Sequence, residues 1–166
     1  MELKRRFWRF SLKNLLILLY FGGFAIFLSI GLRPAEAKNY EISAELNIPA
    51  INLRSDVTAL GVKDHRLETP DYIVGSFSRF ENKVLLIGHS STVFANLKNL
   101  KVGDELIYDD AKYVVIRQEI VEKPKIDMDE ILANARKKTL VLMTCAGESV
   151  GVKDATHRLI ITAEAE

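Results

Sequence analysis

The chain has 166 residues, which is enough for one domain with a hydrophobic core and an appended segment but too few for two ordinary domains. Its 23 Lys and Arg residues nearly balance its 22 Asp and Glu residues, and the formal net charge is +1. This balance gives no general electrostatic attraction to nucleic acid, so we expect no nucleic-acid partner.

The N-terminal part of the chain differs in composition from the rest. Residues 1–14 carry several basic side chains and a single acidic one, and residues 15–32 form an uncharged apolar run. An apolar run of this length is typical of a helix that crosses a membrane, and the basic residues before it predict a cytoplasmic N-terminus. We therefore expect a cytoplasmic segment at 1–14, a transmembrane signal anchor at 15–32, a linker at 33–40 and an extracellular domain at 41–166.

An alternative for this N-terminal part is a cleavable signal peptide, because the small-residue pattern Ala35-Glu36-Ala37 follows the apolar run. The length of the run favours a retained anchor. In either case the domain faces outward, into an oxidising or open compartment. A single cysteine there cannot form an internal disulfide, so it is either a buried structural thiol or a free reactive one.

The first half of the outward domain contains two clear strand patterns. Glu41 to Leu53 alternates apolar and polar residues around Pro49, which predicts an edge strand or a strand bent at the proline. Residues 55–78 are less regular and are punctuated by Gly and Pro, so we predict a short helix or turn there. Lys83 to Ile87 is a continuous apolar strand.

The middle of the domain mixes a short helix with a hairpin. Val93 to Leu100 has apolar residues at helical spacing. Glu105–Tyr108 and Lys112–Glu122 are predicted as two strands joined through Asp109-Asp110. Asp127 to Ala135 begins with acidic residues that suit a helix N-terminus. Calcium binding is the alternative for these acids, but their spacing is unlike that of an EF-hand, so we predict no cofactor.

The C-terminal part contains the only cysteine of the chain. Thr139 to Met143 is predicted as a buried strand, which places Cys145 where the strand meets a loop. Residues 148–156 are predicted as a loop, and Arg158 to Ala163 as the final strand. Many short strands and few helices favour an all-β barrel or sandwich with small helical insertions.

Cys145 is a candidate nucleophile, although a free cysteine is often only a small buried hydrophobic residue. A cysteine becomes reactive when a nearby cation or base holds it as the thiolate. Among the histidines, His65 lies in a charged stretch of sequence and is predicted to be a surface residue. His157 adjoins Arg158, and neighbours on one strand point to opposite faces, so they cannot both face the cysteine. His89, which directly follows an apolar strand and Gly88, is the best placed.

Arg158 begins an otherwise apolar strand, where a charged side chain needs solvent or a partner. A solvated strand end is one interpretation. The other is functional, because the planar guanidinium can donate two hydrogen bonds to a substrate carbonyl or to a developing oxyanion.

Several motifs of the chain occur in the order and approximate spacing seen in sortases: Val84–His89, Phe94, Leu97, Gly103-Asp104, Leu142–Cys145 and Arg158–Ile161. The resemblance extends from about Ile48 to the C-terminus. Sortases are membrane-anchored cysteine transpeptidases, so it implies an all-β, closed eight-stranded barrel with short helices, preceded by an N-terminal transmembrane helix. It further implies that Cys145, His89 and Arg158 are catalytic and that Thr144 binds substrate. Val141 and Glu81-Asn82 depart from the usual sortase motifs, and no subclass is assigned.

The resemblance also implies a reaction and its partners. A sortase cleaves a C-terminal sorting signal similar to LPxTG through a thioacyl-enzyme intermediate, and it transfers the acyl group to an amine of a cell-wall peptide or another protein. Such a reaction anchors proteins at the cell surface. Two alternatives stay open: a surface cysteine hydrolase or protease of the same fold, and a non-catalytic, membrane-tethered β-barrel binding module in which Cys145 belongs to the core.

Overall fold

The computed structural model describes residues 39–63, 66–151 and 154–166. The strands are β1 (Ile42–Ile48), β2 (Leu53–Ala59), β3 (Val62–Lys63), β4 (Arg66–Leu67), β5 (Val74–Phe80), β6 (Lys83–Ile87), β7 (Glu105–Tyr108), β8 (Ala111–Glu122), β9 (Thr139–Ser149) and β10 (Ala155–Ala165). Within these described ranges, helical structure consists of α1 (Met128–Ile131) and the 3-10 turns Pro49–Ile51, Leu97–Asn99 and Lys123–Lys125.

The transmembrane anchor predicted at 15–32 lies outside the described residues, as do the segment 1–14, residues 33–38 of the linker, and His65. Within the ranges that the structure describes, no helix has the length and apolar character needed to span a bilayer. The anchor and the extracellular location stay predictions.

Eight of the strands close into a barrel in the order β1-β2-β5-β6-β9-β10-β8-β7, and β7 pairs back onto β1. Two of the neighbouring pairs, β2 with β5 and β6 with β9, are parallel. The remaining two strands, β3 and β4, form a separate antiparallel ribbon. The predicted all-β, closed eight-stranded barrel with short helices is confirmed.

The middle of β9 (residues 140–143) and of β10 (residues 159–161) is covered on both faces, which explains why these two stretches are apolar without interruption. Leu140 and Leu142 of β9 and Ile161 of β10 lie in the main core. The alternate residues Val141 and Ile160 lie on the outer face in a second cluster. The apolar side chains that complete this outer cluster come largely from the β3–β4 ribbon and the segment around α1: Leu67, Ile126, Met128, Ile131 and Leu132. A strand covered on both sides has no polar face to show in its sequence.

The prediction of a short helix or turn over residues 55–78 is wrong, because β2, β3, β4 and β5 occupy most of this range. Its strand pattern is hidden by small and polar residues at buried positions. Ser55 is buried, and its hydroxyl donates a hydrogen bond to the carbonyl oxygen of Asp56 at 2.8 Å. Gly75 is part of β5, and glycine is needed at this position because a Cβ atom there would come within 2.6 Å of the Leu60 side chain.

The two predicted helices are both shorter than expected. From Val93 to Leu100 the chain makes consecutive turns, and only Leu97–Asn99 is a 3-10 helix, but the apolar residues Phe94, Leu97 and Leu100 are buried in the core. Their spacing of three residues matches the period of a 3-10 helix as well as one face of an α-helix. The second helix is the single turn α1.

Two local interactions explain the ends of α1 and of the predicted hairpin. The side chain of Asp127 caps α1 by accepting hydrogen bonds from the backbone N–H groups of Asp129 and Glu130. The β7–β8 hairpin turns at Asp109 and Asp110, whose φ values of 49° and 62° are those of a two-residue primed turn. The predicted hairpin is therefore confirmed, with β8 beginning at Ala111.

The end of β6 is attached to β9 by a buried hydrogen bond. The hydroxyl of Thr144 donates to the carbonyl oxygen of Gly88 at 2.7 Å, and the N–H of Gly88 donates to the carbonyl oxygen of Met143 at 3.4 Å. Thr144 is only 4% exposed. The bond from Thr144 therefore satisfies a carbonyl group that solvent reaches poorly.

We predict that Thr144→Val destabilises the protein by about 1–3 kcal/mol, because it leaves the Gly88 carbonyl without its donor in a buried position. Thr144→Ser keeps the hydroxyl and is expected to cost less, about 0.8 kcal/mol for the lost methyl group. Urea unfolding of both variants, followed by circular dichroism, measures the difference. A valine variant as stable as the serine variant would show that this hydrogen bond contributes nothing.

Candidate active site

Cys145 lies within β9 and not at the strand end that the sequence predicts. Pairing with β10 continues past it, with Ala146 opposite His157 and Ser149 opposite Ala155. The sequence Ala146-Gly147 is typical of a turn, but Ala146 stays paired with His157, and the pairing becomes irregular only beyond it, where Gly147 has a positive φ of 77°. Such a bulge allows the strand to bend and then continue.

Arg158 is the residue of β10 that lies directly opposite Cys145. Residues opposite each other in an antiparallel pair project from the same face of the sheet. This shared face is the outer face of the barrel, where Val141 and Ile160 also lie. Arg158 is the fourth residue of β10 and not the first, so the predicted start of this strand is three residues too late.

His89 reaches the same place from the other side of β9. Strand β6 runs parallel to β9 with Ile87 opposite Met143, so the chain that leaves β6 continues beside Cys145. Gly88 permits the close packing of this segment, because a Cβ atom there would lie 2.6 Å from Val93 and 2.7 Å from Phe94. The side chain of His89 is 20% exposed.

These three side chains border one groove on the outer face of the barrel, which we name the apolar groove, with a volume of about 500 Å³. Its floor and walls are mainly apolar and are formed by Val62, Leu67, Phe77, Ile87, Met128, Leu132 and Met143. The lining thus comes from the β3–β4 ribbon, from the α1 segment and from the barrel strands β5, β6 and β9. The structure brings Cys145, His89 and Arg158 together at this groove, and Cys145 is a partly exposed free thiol.

A second groove, of about 360 Å³, lies against His89 and Cys145 and is lined mostly by polar residues. We name it the polar groove. Its lining includes the hydroxyl residues Ser90, Ser91, Thr92 and Ser149 and the carboxylates of Asp71 and Asp154. His89 and Cys145 border both grooves, whereas Arg158 borders the apolar groove only.

Three hydrogen bonds to other described residues hold the guanidinium of Arg158. Nη1 donates to the carbonyl oxygens of Ala155 and His157, each at 2.9 Å, and Nη2 donates to Oδ1 of Asp154 at 2.6 Å. The Arg158 side chain is 16% exposed. An arginine has five N–H donors, so these bonds leave the N–H of Nε and one N–H of Nη2 for a ligand.

Two carboxylates accompany the basic side chains of the site. Oδ1 of Asp71 lies 3.7 Å from Nε2 of His89, which forms an ion pair when the imidazole is protonated. Asp154 bonds to Lys123 as well as to Arg158. The Lys123 ammonium, the Arg158 guanidinium and the backbone N–H of Ala155 together lower the pKa of the Asp154 carboxyl well below its usual value.

Sequence reasoning missed both carboxylates. Asp154 directly precedes β10, in a segment that the sequence predicts as a loop, so strand periodicity does not connect it with Arg158. Asp71 lies in the loop between β4 and β5, far from His89 in sequence, and no local pattern connects the two.

The other predicted residues have different surroundings. Thr144, predicted to bind substrate, contributes to the lining of the apolar groove, but its hydroxyl is bonded to Gly88. The substrate-binding role stays a prediction. His157 is not among the described residues that line either groove, and its Nδ1 lies 2.8 Å from the hydroxyl of Thr156.

Solved structures of several sortases share this barrel. Sortase A from Corynebacterium diphtheriae, in a lid mutant, superposes with a TM-score of 0.60 at 22% identity, over 79% of this chain and 73% of that one. Sortase A of Listeria monocytogenes has a TM-score of 0.59 at 16% identity, over 75% and 87%. Sortase C-1 from Actinomyces oris has a TM-score of 0.58 at 24% identity, over 83% and 78%. At these identities the likeness establishes the fold.

Comparison by sequence gives a family match. No curated protein matches the sequence significantly. The family model of the sortase domain matches residues 46–166, which include both grooves' described residues and every strand of the barrel except the first residues of β1. Since this match spans well over half of the sequence, the chain belongs to the sortase family and the protein is an enzyme of the sortase transpeptidase class.

Proposed function

We propose that the protein cleaves a C-terminal sorting signal similar to LPxTG through a thioacyl intermediate on Cys145 and transfers the acyl group to an amine. The observation that carries the proposal is the convergence of Cys145, His89 and Arg158 at one groove, with Arg158 directly opposite the cysteine in the β9–β10 pairing. A partly exposed thiol between an imidazole and a guanidinium is the arrangement that nucleophilic cysteine chemistry requires.

In the first half of the reaction, the thiolate of Cys145 attacks the backbone carbonyl of a threonine-like residue. The carbonyl oxygen becomes an oxyanion, and the two remaining N–H groups of Arg158 donate hydrogen bonds to it. When the intermediate collapses, the C–N bond breaks and the imidazolium of His89 gives its proton to the leaving amine. The products of this half are a thioester on Cys145 and a free amine.

In the second half, an acceptor amine attacks the thioester. Neutral His89 takes the proton that this amine loses as the new amide bond forms, and Cys145 leaves as the thiolate. The thiolate and imidazolium are thereby regenerated. His89 borders both grooves, so it can exchange a proton with a group that enters from the polar groove while the acyl group stays in the apolar groove.

The apolar groove supports a peptide as the acyl donor. Its walls of Leu, Ile, Met and Phe side chains suit an extended segment that buries an apolar side chain, with the scissile carbonyl next to Cys145 and Arg158, which also line the groove. We propose that the partners are a protein bearing such a signal and an amine of a cell-wall peptide or a second protein. The segment 15–32 would anchor the enzyme in the membrane with this domain outside the cell.

We predict that Cys145→Ala abolishes the covalent adduct with an LPxTG-like peptide, because alanine has no nucleophile. Intact-protein mass spectrometry of the full chain, incubated with a set of candidate signal peptides, measures the adduct. Circular dichroism of the variant controls for folding. An adduct of unchanged mass shift in the alanine variant would refute Cys145 as the nucleophile.

We predict that an added amine diverts the acyl group from water, giving a ligated peptide whose yield rises with amine concentration while the rate of acylation stays constant. Separation of ligated and hydrolysed products by chromatography measures this partition. Hydrolysis alone, at all amine concentrations and with several amines, would favour the cysteine hydrolase over the transpeptidase.

We predict that a thiol-directed sulfonate reagent labels Cys145 in the folded protein, because the side chain is partly exposed and borders two grooves. Mass spectrometry before and after unfolding in urea measures the accessible fraction. Labelling that occurs only after unfolding would instead fit the non-catalytic binding module, in which the thiol belongs to the core.

A further inference from the structure

We propose that Asp154 is a positioning residue for the reaction: together with Lys123 it fixes the guanidinium of Arg158 at the border of the apolar groove. The inference rests on the proposed function, in which Arg158 binds the oxyanion. It assigns a task to two residues that do not themselves touch the reacting atoms.

The hydrogen bonds of Arg158 hold its guanidinium at both terminal nitrogens, Nη1 and Nη2. Oδ1 of Asp154 accepts from Nη2 at 2.6 Å, and the carbonyl oxygens of Ala155 and His157 accept from Nη1 at 2.9 Å. A long side chain free to rotate would present its donors to the groove only part of the time. Fixed at both nitrogens, the guanidinium keeps the N–H of Nε and the second N–H of Nη2 available in one orientation, which is the condition for oxyanion stabilisation without reorganisation.

Asp154 is itself held in place from two further directions. Its Oδ1 accepts a hydrogen bond from the N–H of Ala155 at 2.9 Å, and its Oδ2 bonds to the ammonium of Lys123. Lys123 follows β8, whose Val121 lies opposite Arg158 in the β8–β10 pairing. The carboxylate is therefore anchored to β10 and to the end of β8, and it does not depend on Arg158 alone for its position.

The charges of Arg158, Asp154 and Lys123 give the acid and the lysine separate tasks at the site. A carboxylate that positions Arg158 also cancels its charge, which would weaken its attraction for an oxyanion. Lys123 adds a second positive charge on the far oxygen of Asp154, so the group of three carries a net charge of +1. Asp154 can then fix the guanidinium while the group of three side chains beside the groove keeps a net positive charge.

The alternative is that Asp154 only stabilises the turn between β9 and β10, since the N–H of Val150 also donates to the backbone carbonyl of Asp154 at 2.8 Å. The variant Asp154→Asn distinguishes positioning of Arg158 from stabilisation of the turn. Its amide oxygen can still accept a hydrogen bond from the N–H of Ala155, but the neutral side chain no longer forms ion pairs with Arg158 and Lys123. We expect the rate of thioacyl formation to fall by roughly 10- to 100-fold, mainly through kcat, with the melting temperature little changed.

The decisive measurement is a double-mutant cycle with Arg158→Ala in the full chain. If Asp154 acts through Arg158, then Asp154→Asn slows thioacyl formation in the wild-type background but has no further effect when Arg158 is absent. Glu45→Gln, which removes the carboxylate partner of Arg54 on the β1–β2 pair, is the matched control and should leave the rate unchanged. Equal effects of Asp154→Asn in both backgrounds, or no effect in either, would overturn the proposal.

A readout without turnover separates this proposal from the proposed function. In the resting protein we expect the Nε–H signal of Arg158 in nuclear magnetic resonance spectra to be sharp and to broaden in Asp154→Asn but not in Glu45→Gln. If the signal broadens only in Asp154→Asn, Asp154 fixes Arg158 whether or not the protein is active. If the wild-type protein also forms no adduct with any candidate peptide, the proposed function is refuted while the positioning of Arg158 by Asp154 stands. A signal that is the same in all three proteins would overturn the positioning.

Discussion

The site depends on the position of β9 between a parallel neighbour, β6, and an antiparallel neighbour, β10. The parallel pairing directs the chain that leaves β6 toward Cys145, and the antiparallel pairing sets Arg158 opposite it. Because successive residues of a strand face opposite sides, a slip of one residue in β10 would turn Arg158 toward the interior. The register of three strands, and not the sequence around Cys145, determines which side chains border its grooves.

Hydrophobic burial alone does not fix this register well, because both faces of β9 and β10 are apolar at this point. Leu142 on one face and Val141 on the other are both buried, so a slipped pairing would exchange two similar sets of side chains. Polar contacts distinguish the observed register from a slipped one. The hydroxyl of Thr144 bonds to the carbonyl of Gly88 at 2.7 Å, and the hydroxyl of Thr156 accepts from the N–H of Glu148 at 3.1 Å. Each bond exists in one register only.

The sequence predicts most of the barrel and the three residues that meet at the apolar groove. Strands with strong apolar runs, such as Lys83–Ile87, are found with the bounds expected. Residues 55–78 were mispredicted because small and polar residues such as Ser55 and Gly75 fill buried positions, so tertiary packing and not periodicity makes them strands. Asp71 was missed because only the fold brings its loop to His89. The apolar wall from the β3–β4 ribbon was missed because two-residue strands leave no periodic signal.

The difference between the two grooves bears on how an acyl-enzyme would divide its product between an amine and water. Apolar walls around Arg158 strengthen its hydrogen bonds to an acyl carbonyl, because solvent competes weakly there. The polar groove has the opposite character, because hydroxyl and carboxylate side chains line it next to the same His89 and Cys145. In the proposed mechanism, water would reach the thioester through the polar groove whenever no amine occupies it. It follows that occupancy of this groove by an amine, and not any change in the residues that perform the chemistry, would separate transfer from hydrolysis in this protein.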